Sequence, residues 1–485
     1  MDEKNKFYPL DPALNYPPRH IKYVYFMGIC GTGMASLAGM LKAQGLKVAG
    51  SDQNTYPPMS RFLDSLSIPV FKGYKAENLT PEPDLVIVGN VIRRTNPEVM
   101  ALARRGIPYL SFPQAVAQFA LQDKEVIVVA GTHGKTTTTS AIAWILEQAG
   151  LKPGFLIGGI PLNFQTGFHV GKGPYFAIEG DEYDSAFFDK GPKFLHYRPA
   201  HLIMTNIEFD HADIYKDLDH VLESFKALLP SVPPSGYLVA NMDEPMVRKL
   251  AKTRKGKTLG YGFNHASGIR IEAYDFSSKG TVFTISMGKG ENISLETPLY
   301  GRHNLSNLTG AIALSLGIGI STGVIKKAVK SFIGVKRRQE ILGEVSGILV
   351  IDDFAHHPTE VAETVASLKE RFPSRRLIAV FEPRSNSSRR NIFQTEYADA
   401  LSRADLVMAP EPSNVDSIPP QDRFSSQRLA ADLAKRGVEA YWSPSIDELL
   451  VILQDKVEGG DVIVFMSNGG FKDLPSRLLK SLDKD

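Results

Sequence analysis

Of 485 residues only one is cysteine, Cys30, which excludes an internal disulfide and suits a reducing compartment. Long apolar runs are missing too. The most apolar stretch, LTGAIALSLGIGI from Leu308, is too short and too rich in glycine to span a bilayer. Charge of one sign is not in excess: 55 Lys and Arg face 53 Asp and Glu, interspersed, for a net charge of +2. That balance gives no reason to invoke nucleic acid or a membrane surface, and leaves small molecules as the expected partners. The opening MDEKNKFYPLDPALNYPPRH has no basic segment followed by an apolar core, so it does not read as a secretory signal, and the expected compartment is the cytoplasm. No internal repeat or low-complexity tract is visible.

What the chain does have is length and alternation. It is too long for one core, and the length prior suggests about three domains. Strand-like runs alternate with helical ones throughout, which predicts an α/β fold with largely parallel sheets. The expected segments are 1–122, 123–333 and 334–485.

The most informative stretch is VIVVAGTHGKTTTTS, Val126 to Ser140. An apolar run stops at glycine, and Ala141, Trp144, Ile145 and Leu146 then recur at helical spacing. Strand, glycine turn and helix form a phosphate-binding layout: backbone N–H groups close round an anion, Lys135 reaches terminal phosphates, and the Thr136 hydroxyl sits on Mg²⁺. The loop is a short variant that starts at Gly131, because the usual spacing would need glycine where Val129 stands. A second glycine loop, GICGTGM, follows the strand-like YVYFM and opens the helical ASLAGMLKAQG, with glycines at 28, 31 and 33. The next strand ends at Ser51 and Asp52, an acid about 20 residues on, which outlines a dinucleotide-binding fingerprint. Alone it permits NAD, FAD or any ligand with a diphosphate. Cys30, inside this loop, reads as a small loop residue rather than a nucleophile.

A triphosphate at Lys135 and Thr136 needs Mg²⁺, which takes carboxylate and hydroxyl oxygens. Glu179 is the first candidate ligand, since it ends the apolar YFAI and would emerge at the ligand-binding edge of the sheet; Asp181, Glu182 and Asp184 compete for the role. His211, in FDHAD, is a candidate second metal ligand or phosphate neighbour.

GTHGKTTTT, TNIEFDH, GRHNLSN at Gly301, RRQE at Arg337 and DDFAHHPTE at Asp352 together resemble the ordered motif set of the Mur ligase family, the ATP-dependent amide-bond ligases of peptidoglycan assembly. The motifs span nearly the whole chain. GICGTGM and DDFAHHPTE are similar to the branch that uses UDP-N-acetylmuramate. SDQNTYPPMS, GDEYDSAFFDK, EFDHADIY, FEPRSN and MSNGGF resemble those members that add a recovered tripeptide, L-alanyl-γ-D-glutamyl-meso-diaminopimelate; the alanine-adding members typically lack FFDK and the last two motifs.

The resemblance implies three domains: a Rossmann-like N-terminal domain, a central P-loop ATPase-like domain and a Rossmann-like C-terminal domain. It implies that ATP and two Mg²⁺ activate the substrate acid as an acyl phosphate, with closure of the third domain excluding water. By the same resemblance, Gly131, Thr132, His133, Gly134, Lys135, Thr136 and Thr137 would hold ATP phosphates, and Thr136, Glu179 and His211 the metals. His303, Asn304 and Asn307 would lie against adenine and ribose, and Arg338 and Asp353 against the γ-phosphate and ribose. His356 and His357 would face the reacting carboxyl. Arg384, Ser385 and Asn386 would take the peptide. Gly28, Gly31, Thr32, Gly33, Met34, Ser51, Asp52 and Asn90 would bind the UDP sugar. Electrostatics agrees with a metal-assisted step: each unit pair at about 4 Å costs roughly 4 kcal/mol at an effective dielectric of 20 when a carboxylate meets a triphosphate. Lys226, at the spacing of a lysine carbamylated in some family members, reads as a solvated helix lysine. The alternatives are an L-alanine-adding ligase of the same branch, an NAD-dependent oxidoreductase built on the first loop, and a nucleotide-binding regulator that has lost catalysis.

Overall fold

The computed structural model describes residues 10–55, 59–277, 279–288 and 291–483. Residues 1–9 of the opening segment and 56–58 of SDQNTYPPMS lie outside the described residues.

The first sheet contains β1 (Tyr23–Met27), β2 (Lys47–Asp52), β3 (Val70–Lys72), β4 (Leu85–Val88) and β5 (Tyr109–Ser111), in the order β3-β2-β1-β4-β5 and parallel throughout. β1 and β4 are buried along their whole length, because a parallel sheet is covered on both faces. The strand order reverses at β1, where GICGTGM leads into the helix Thr32–Ala43, and such switch points are where open α/β sheets bind ligands. Local signals set the boundaries. Asn96 caps the helix Pro97–Arg105, Gly106 ends it at φ 66°, and Ser111 with Gln114 forms a capping box on the helix Phe112–Phe119.

The central strands are β6 (Glu125–Ala130), β7 (Gly154–Leu156), β8 (Phe168–His169), β9 (Tyr175–Gly180), β12 (His201–Met204), β13 (Tyr237–Asn241) and β14 (Lys257–Gly262), ordered β14-β13-β12-β6-β9-β7-β8. All pair in parallel except β8 with β7. β10 (Asp184–Ala186) and β11 (Asp189–Pro192) form a separate antiparallel hairpin. It locks the central strands to the first sheet. Phe187 and Phe188 pack against the first sheet's core, Phe188 stands edge-on to Tyr109 with ring centres 4.9 Å apart, and Ser111 Oγ donates to Asp189 at 2.6 Å.

β15 (Ile269–Ser277), β16 (Gly280–Ser286) and β17 (Asn292–Thr297) form an antiparallel meander. The last sheet, β18 (Glu340–Val345), β19 (Ile348–Asp353), β20 (Leu377–Phe381), β21 (Leu406–Pro410), β22 (Glu439–Ser443) and β23 (Val462–Met466), runs β18-β19-β23-β20-β21-β22 and is parallel apart from β18. An apolar cluster covers each of its faces. The chain divides into two compact units, 1–207 with 219–269 and 309–328, and 208–218 with 270–308 and 329–485.

The expected α/β class with largely parallel sheets is what the fold shows. The meander and the β10–β11 hairpin depart from a purely alternating pattern, and β9 continues two residues past YFAI so that Glu179 lies inside the strand, paired with Val129. No helix among the described residues is long and apolar enough to cross a membrane.

Candidate active site

In the first unit, the phosphate loop joins β6 to the helix Lys135–Gln148. Gly131 sits at φ 147°, and a methyl carbon there would lie 2.0 Å from Thr205 Oγ1 and 2.9 Å from Asn206 O, so only glycine fits. The loop is held from the end of β12: Thr132 N and His133 N donate to Asn206 O and Oδ1 at 3.1 and 2.8 Å, and Thr205 Oγ1 donates to His133 O at 2.6 Å. His133 is buried and Gly134, at φ 78°, begins the helix; Thr137 is buried within it. Thr205 and Asn206 were not singled out from sequence, although TNIEFDH contains them.

Lys135 Nζ donates to Gly131 O at 2.6 Å and to Glu182 at 3.0 Å, with Asp181 at 3.9 Å. Burial works against its charge, but Glu182 and Asp181 outweigh that and raise its pKa. Thr136 Oγ1 donates to Glu179 Oε2 at 2.9 Å while Gly158 N donates to Oε1 at 2.6 Å. Desolvation, reinforced by Asp181, raises the Glu179 pKa. Asp181 is burdened by burial yet held below the usual range by Lys193 and Lys135; Lys193 Nζ donates to it at 3.1 Å and stands 3.9 Å from the Tyr183 ring centre. The three acids therefore divide: Glu179 stands beside Thr136, Glu182 beside Lys135, and Asp181 between two lysines. Asp184 pairs with exposed Lys190 at 2.5 Å.

The GICGTGM loop is built from backbone. Gly28 adopts φ 82°, Gly28 N and Ile29 N donate to Ser51 O at 2.8 and 3.0 Å, and Cys30 N donates to Asp52 at 2.9 Å. Gly31 and Thr32 open the helix, Gly33 faces Phe112, and Met34 is buried. The Ser51 hydroxyl turns inward to the buried Glu98 at 2.6 Å, and Asn90 is exposed beyond β4.

The second unit holds two further groups. In one, Asp353 is buried and accepts from Ala355 N and Gln339 N, both at 2.7 Å; desolvation pushes its pKa up to about 6 despite Arg338. Arg338 reaches Glu360 at 3.4 Å and stacks over Phe354. His303 lies 3.4 Å from Gln339 Nε2, and burial together with Arg338 lowers its pKa to about 4. Asn304 is buried and donates to Tyr300 O at 2.8 Å; Asn307 is buried on the same helix.

The other group lines a pocket of about 330 Å³ formed by Asp210, His211, His356, Arg384, Ser385, Asn386, Ser387 and Asn468. His211 takes a left-handed backbone at φ 53°, and its N donates to Asp210 at 2.7 Å. Burial opposes the charge of Asp210, but His211, His356 and the Ser387 hydroxyl hold its pKa far below the usual range. Burial likewise opposes a charge on His356, yet Glu360 at 3.2 Å raises its pKa. His357 is committed structurally: its Nδ1 accepts from Thr359 N, capping the helix Pro358–Arg371, and its Nε2 faces Phe209 O at 3.2 Å. Asn386 donates to Asp213 at 2.9 Å. The guanidinium of Arg384 has no hydrogen-bond or ion-pair partner among the described residues. Asp210, Ser387 and Asn468 add to what the sequence suggested. Lys226 is exposed and pairs with Glu223 at 2.5 Å, as a solvated helix lysine does.

Three family models match the chain in order: "Mur ligase family, catalytic domain" over residues 23–124, "Mur ligase middle domain" over 129–315 and "Mur ligase, glutamate ligase domain" over 337–469. The chain is 40% identical over 468 residues to the UDP-N-acetylmuramate–L-alanyl-gamma-D-glutamyl-meso-2,6-diaminoheptandioate ligase of Escherichia coli K12, covering 95% of this chain and 98% of that one. It is 33% identical over 461 residues to the UDP-N-acetylmuramate–L-alanine ligase of Desulforapulum autotrophicum, covering 95% and 98%. Among solved structures, a murein peptide ligase from Psychrobacter arcticus matches with a TM-score of 0.74 at 36% identity, covering 96% and 99%. The UDP-N-acetylmuramate-alanine ligase of Thermotoga maritima matches with a TM-score of 0.79 at 25% identity, covering 96% and 100%.

Proposed function

Because the chain belongs to the Mur ligase family, we propose that it uses ATP to join L-alanyl-γ-D-glutamyl-meso-diaminopimelate to the lactyl carboxylate of UDP-N-acetylmuramate, releasing ADP and phosphate. The observation that carries the choice of acceptor is the 40% identity to a tripeptide-adding ligase over nearly the whole of both chains, and the pocket of about 330 Å³ lined by Arg384, Asn386 and Asn468 suits a carboxylate-bearing acceptor. An unpaired guanidinium fits a carboxylate, and the tripeptide offers several, spread along its length, where free alanine offers only the α-carboxylate beside its amine. Identity favours the tripeptide ligases, 40% against 33%, while the TM-scores run the other way, 0.74 against 0.79. Identity is the better guide, because both activities share the fold. Family membership sets aside the oxidoreductase reading.

In this reading residues 1–122 bind the UDP sugar, 123–333 bind ATP, and 334–485 bind the peptide and part of the nucleotide. The amides of Gly131 to Gly134 cradle phosphate, and Lys135, now resting on Glu182 and a loop carbonyl, transfers its donors to the terminal phosphates. Thr136 and Glu179 fit a Mg²⁺ ion: both offer hard oxygens 2.9 Å apart, and desolvation leaves the Glu179 carboxylate short of countercharge. The ion supplies charge neutralisation between the attacking carboxylate and the triphosphate. His211 is the candidate ligand of a second ion. The lactyl carboxylate attacks the γ-phosphorus to give an acyl phosphate, and the peptide amine then displaces phosphate. Glu360 favours the protonated form of His356, which in that form would donate to the oxyanion of the second step; His357 acts by positioning, as helix cap. Asp353 and Arg338 are read as the ribose and γ-phosphate contacts, with His303, Asn304 and Asn307 nearer the base. The cytoplasm, where nucleotide substrates are held, is the proposed compartment.

The test is ADP release from ATP, Mg²⁺ and UDP-N-acetylmuramate with L-alanine, dipeptide, tripeptide or tetrapeptide. Turnover should require the UDP sugar and the tripeptide together. Robust turnover with L-alanine and none with tripeptide would reject the choice in favour of the alanine-adding activity.

A further inference from the structure

The geometry points to Gly469 as a positioning residue for the acceptor peptide: its missing side chain is the space in which the Arg384 guanidinium lies. This rests on the peptide-binding reading of Arg384 given above. A methyl carbon built on Gly469 would fall 2.2 Å from Nη1 and 2.3 Å from Cζ and Nε of Arg384, so the guanidinium occupies the very volume that any side chain at this position would fill. Gly469 is not among the glycines with positive φ, so backbone conformation does not demand glycine here. The three atoms nearest that methyl position all belong to the arginine.

The floor beneath that arginine is fixed from several directions. Arg337 Nη2 donates to Ser467 O at 2.7 Å and to Gly469 O at 2.6 Å, while its Nε donates to Asp352 at 2.9 Å. Gly469 N donates to Ser467 Oγ at 2.9 Å, and that hydroxyl in turn donates to the buried Glu382 carboxylate, two residues before Arg384. Glu382 N closes the loop by donating to Met466 O at 3.0 Å. The 467–469 segment is thereby tied to the loop after β20 that carries Arg384. A long, exposed side chain loses much rotamer freedom when it binds a ligand. A guanidinium seated in the space left at a fixed glycine has already lost part of it, so less is lost when a carboxylate docks.

An alanine at 469 meets the far end of a flexible side chain rather than backbone, so the chain should fold and Arg384 should be pushed off the floor. Gly470, where a methyl carbon meets nothing within 4 Å, provides the control. The experiment measures KM for tripeptide and for ATP in Gly469→Ala, Gly470→Ala, Arg384→Ala and the double variant Gly469→Ala/Arg384→Ala. Losing a charge-assisted contact predicts a rise of about tenfold or more in the tripeptide KM for Gly469→Ala, with the ATP KM moving less than about twofold. Gly470→Ala should match the unsubstituted enzyme. In the Arg384→Ala background, the Gly469 substitution should add less than about twofold, since the group it acts on is gone. An unchanged tripeptide KM in Gly469→Ala, or a full-size effect that persists without Arg384, would overturn the inference. If Arg384→Ala itself leaves the tripeptide KM unchanged, the peptide-binding reading falls first and takes this premise with it.

Discussion

Two glycine loops in the first unit share one local design, a buried parallel strand, a glycine turn and a helix, yet they are equipped differently. The loop after β1 is held by the carbonyl of Ser51 and the carboxylate of Asp52, both engaged with the loop's own backbone. The loop after β6 is held by Thr205 and Asn206, which leaves Lys135, Thr136 and Glu179 to face a ligand. The backbone layout by itself supplies an anion cradle. Reactivity is added by side chains, and only the second loop has them, so the first is suited to binding a diphosphate and the second to transferring a phosphoryl group.

The sharpest way to break this contrast is Lys135→Ala. Turnover should fall by roughly 10³-fold or more, the scale of removing a key charge stabiliser, while calorimetric binding of UDP-N-acetylmuramate survives. Full activity in that variant would remove the division of labour. Glu179→Gln keeps the shape but not the charge; kcat should fall about 10²-fold, with a higher Mg²⁺ concentration needed for half-maximal rate. The third comparison concerns stability. Gly131→Ala forces a methyl group to within 2.0 Å of Thr205 Oγ1 at a left-handed φ, and should cost about 2 kcal/mol or more in denaturant unfolding. Gly31→Ala, where the nearest atom is 3.8 Å away, should cost less than about 1 kcal/mol.

The smallest effect is a pH dependence. Desolvation raises the Glu179 pKa, so the native state favours its protonated form. The resulting stabilisation is fully present below the ordinary glutamate pKa of about 4.3 and is lost as pH rises through the folded value. Mg²⁺ needs the ionised form and should therefore bind several-fold more weakly at pH 5 than at pH 7, a trend that Glu179→Gln abolishes. UDP-sugar affinity, set by the other loop, should stay flat within about twofold over the same range.

Much of this was legible in the sequence because the signals were local. Periodicity and glycine placement marked both strand-turn-helix units, and the end of an apolar run marked Glu179. The partners of those residues were less legible. Nothing local to GTHGKT says that Asn206 clasps the loop, or that Glu182 rather than Asp181 takes the Lys135 ammonium, since both contacts depend on β12 and β9 flanking β6. The commitment of His357 to a helix cap was hidden for the same reason, as was the room that Gly469 leaves for Arg384.

The central claim is that the loop after β6 lets the lactyl carboxylate attack the γ-phosphate. It is tested most directly with UDP-N-acetylmuramate carrying ¹⁸O in that carboxylate, turned over with ATP, Mg²⁺ and tripeptide, followed by mass analysis of the released phosphate. The account predicts one labelled oxygen in each phosphate. Unlabelled phosphate, with amide product formed at the normal rate, would contradict it.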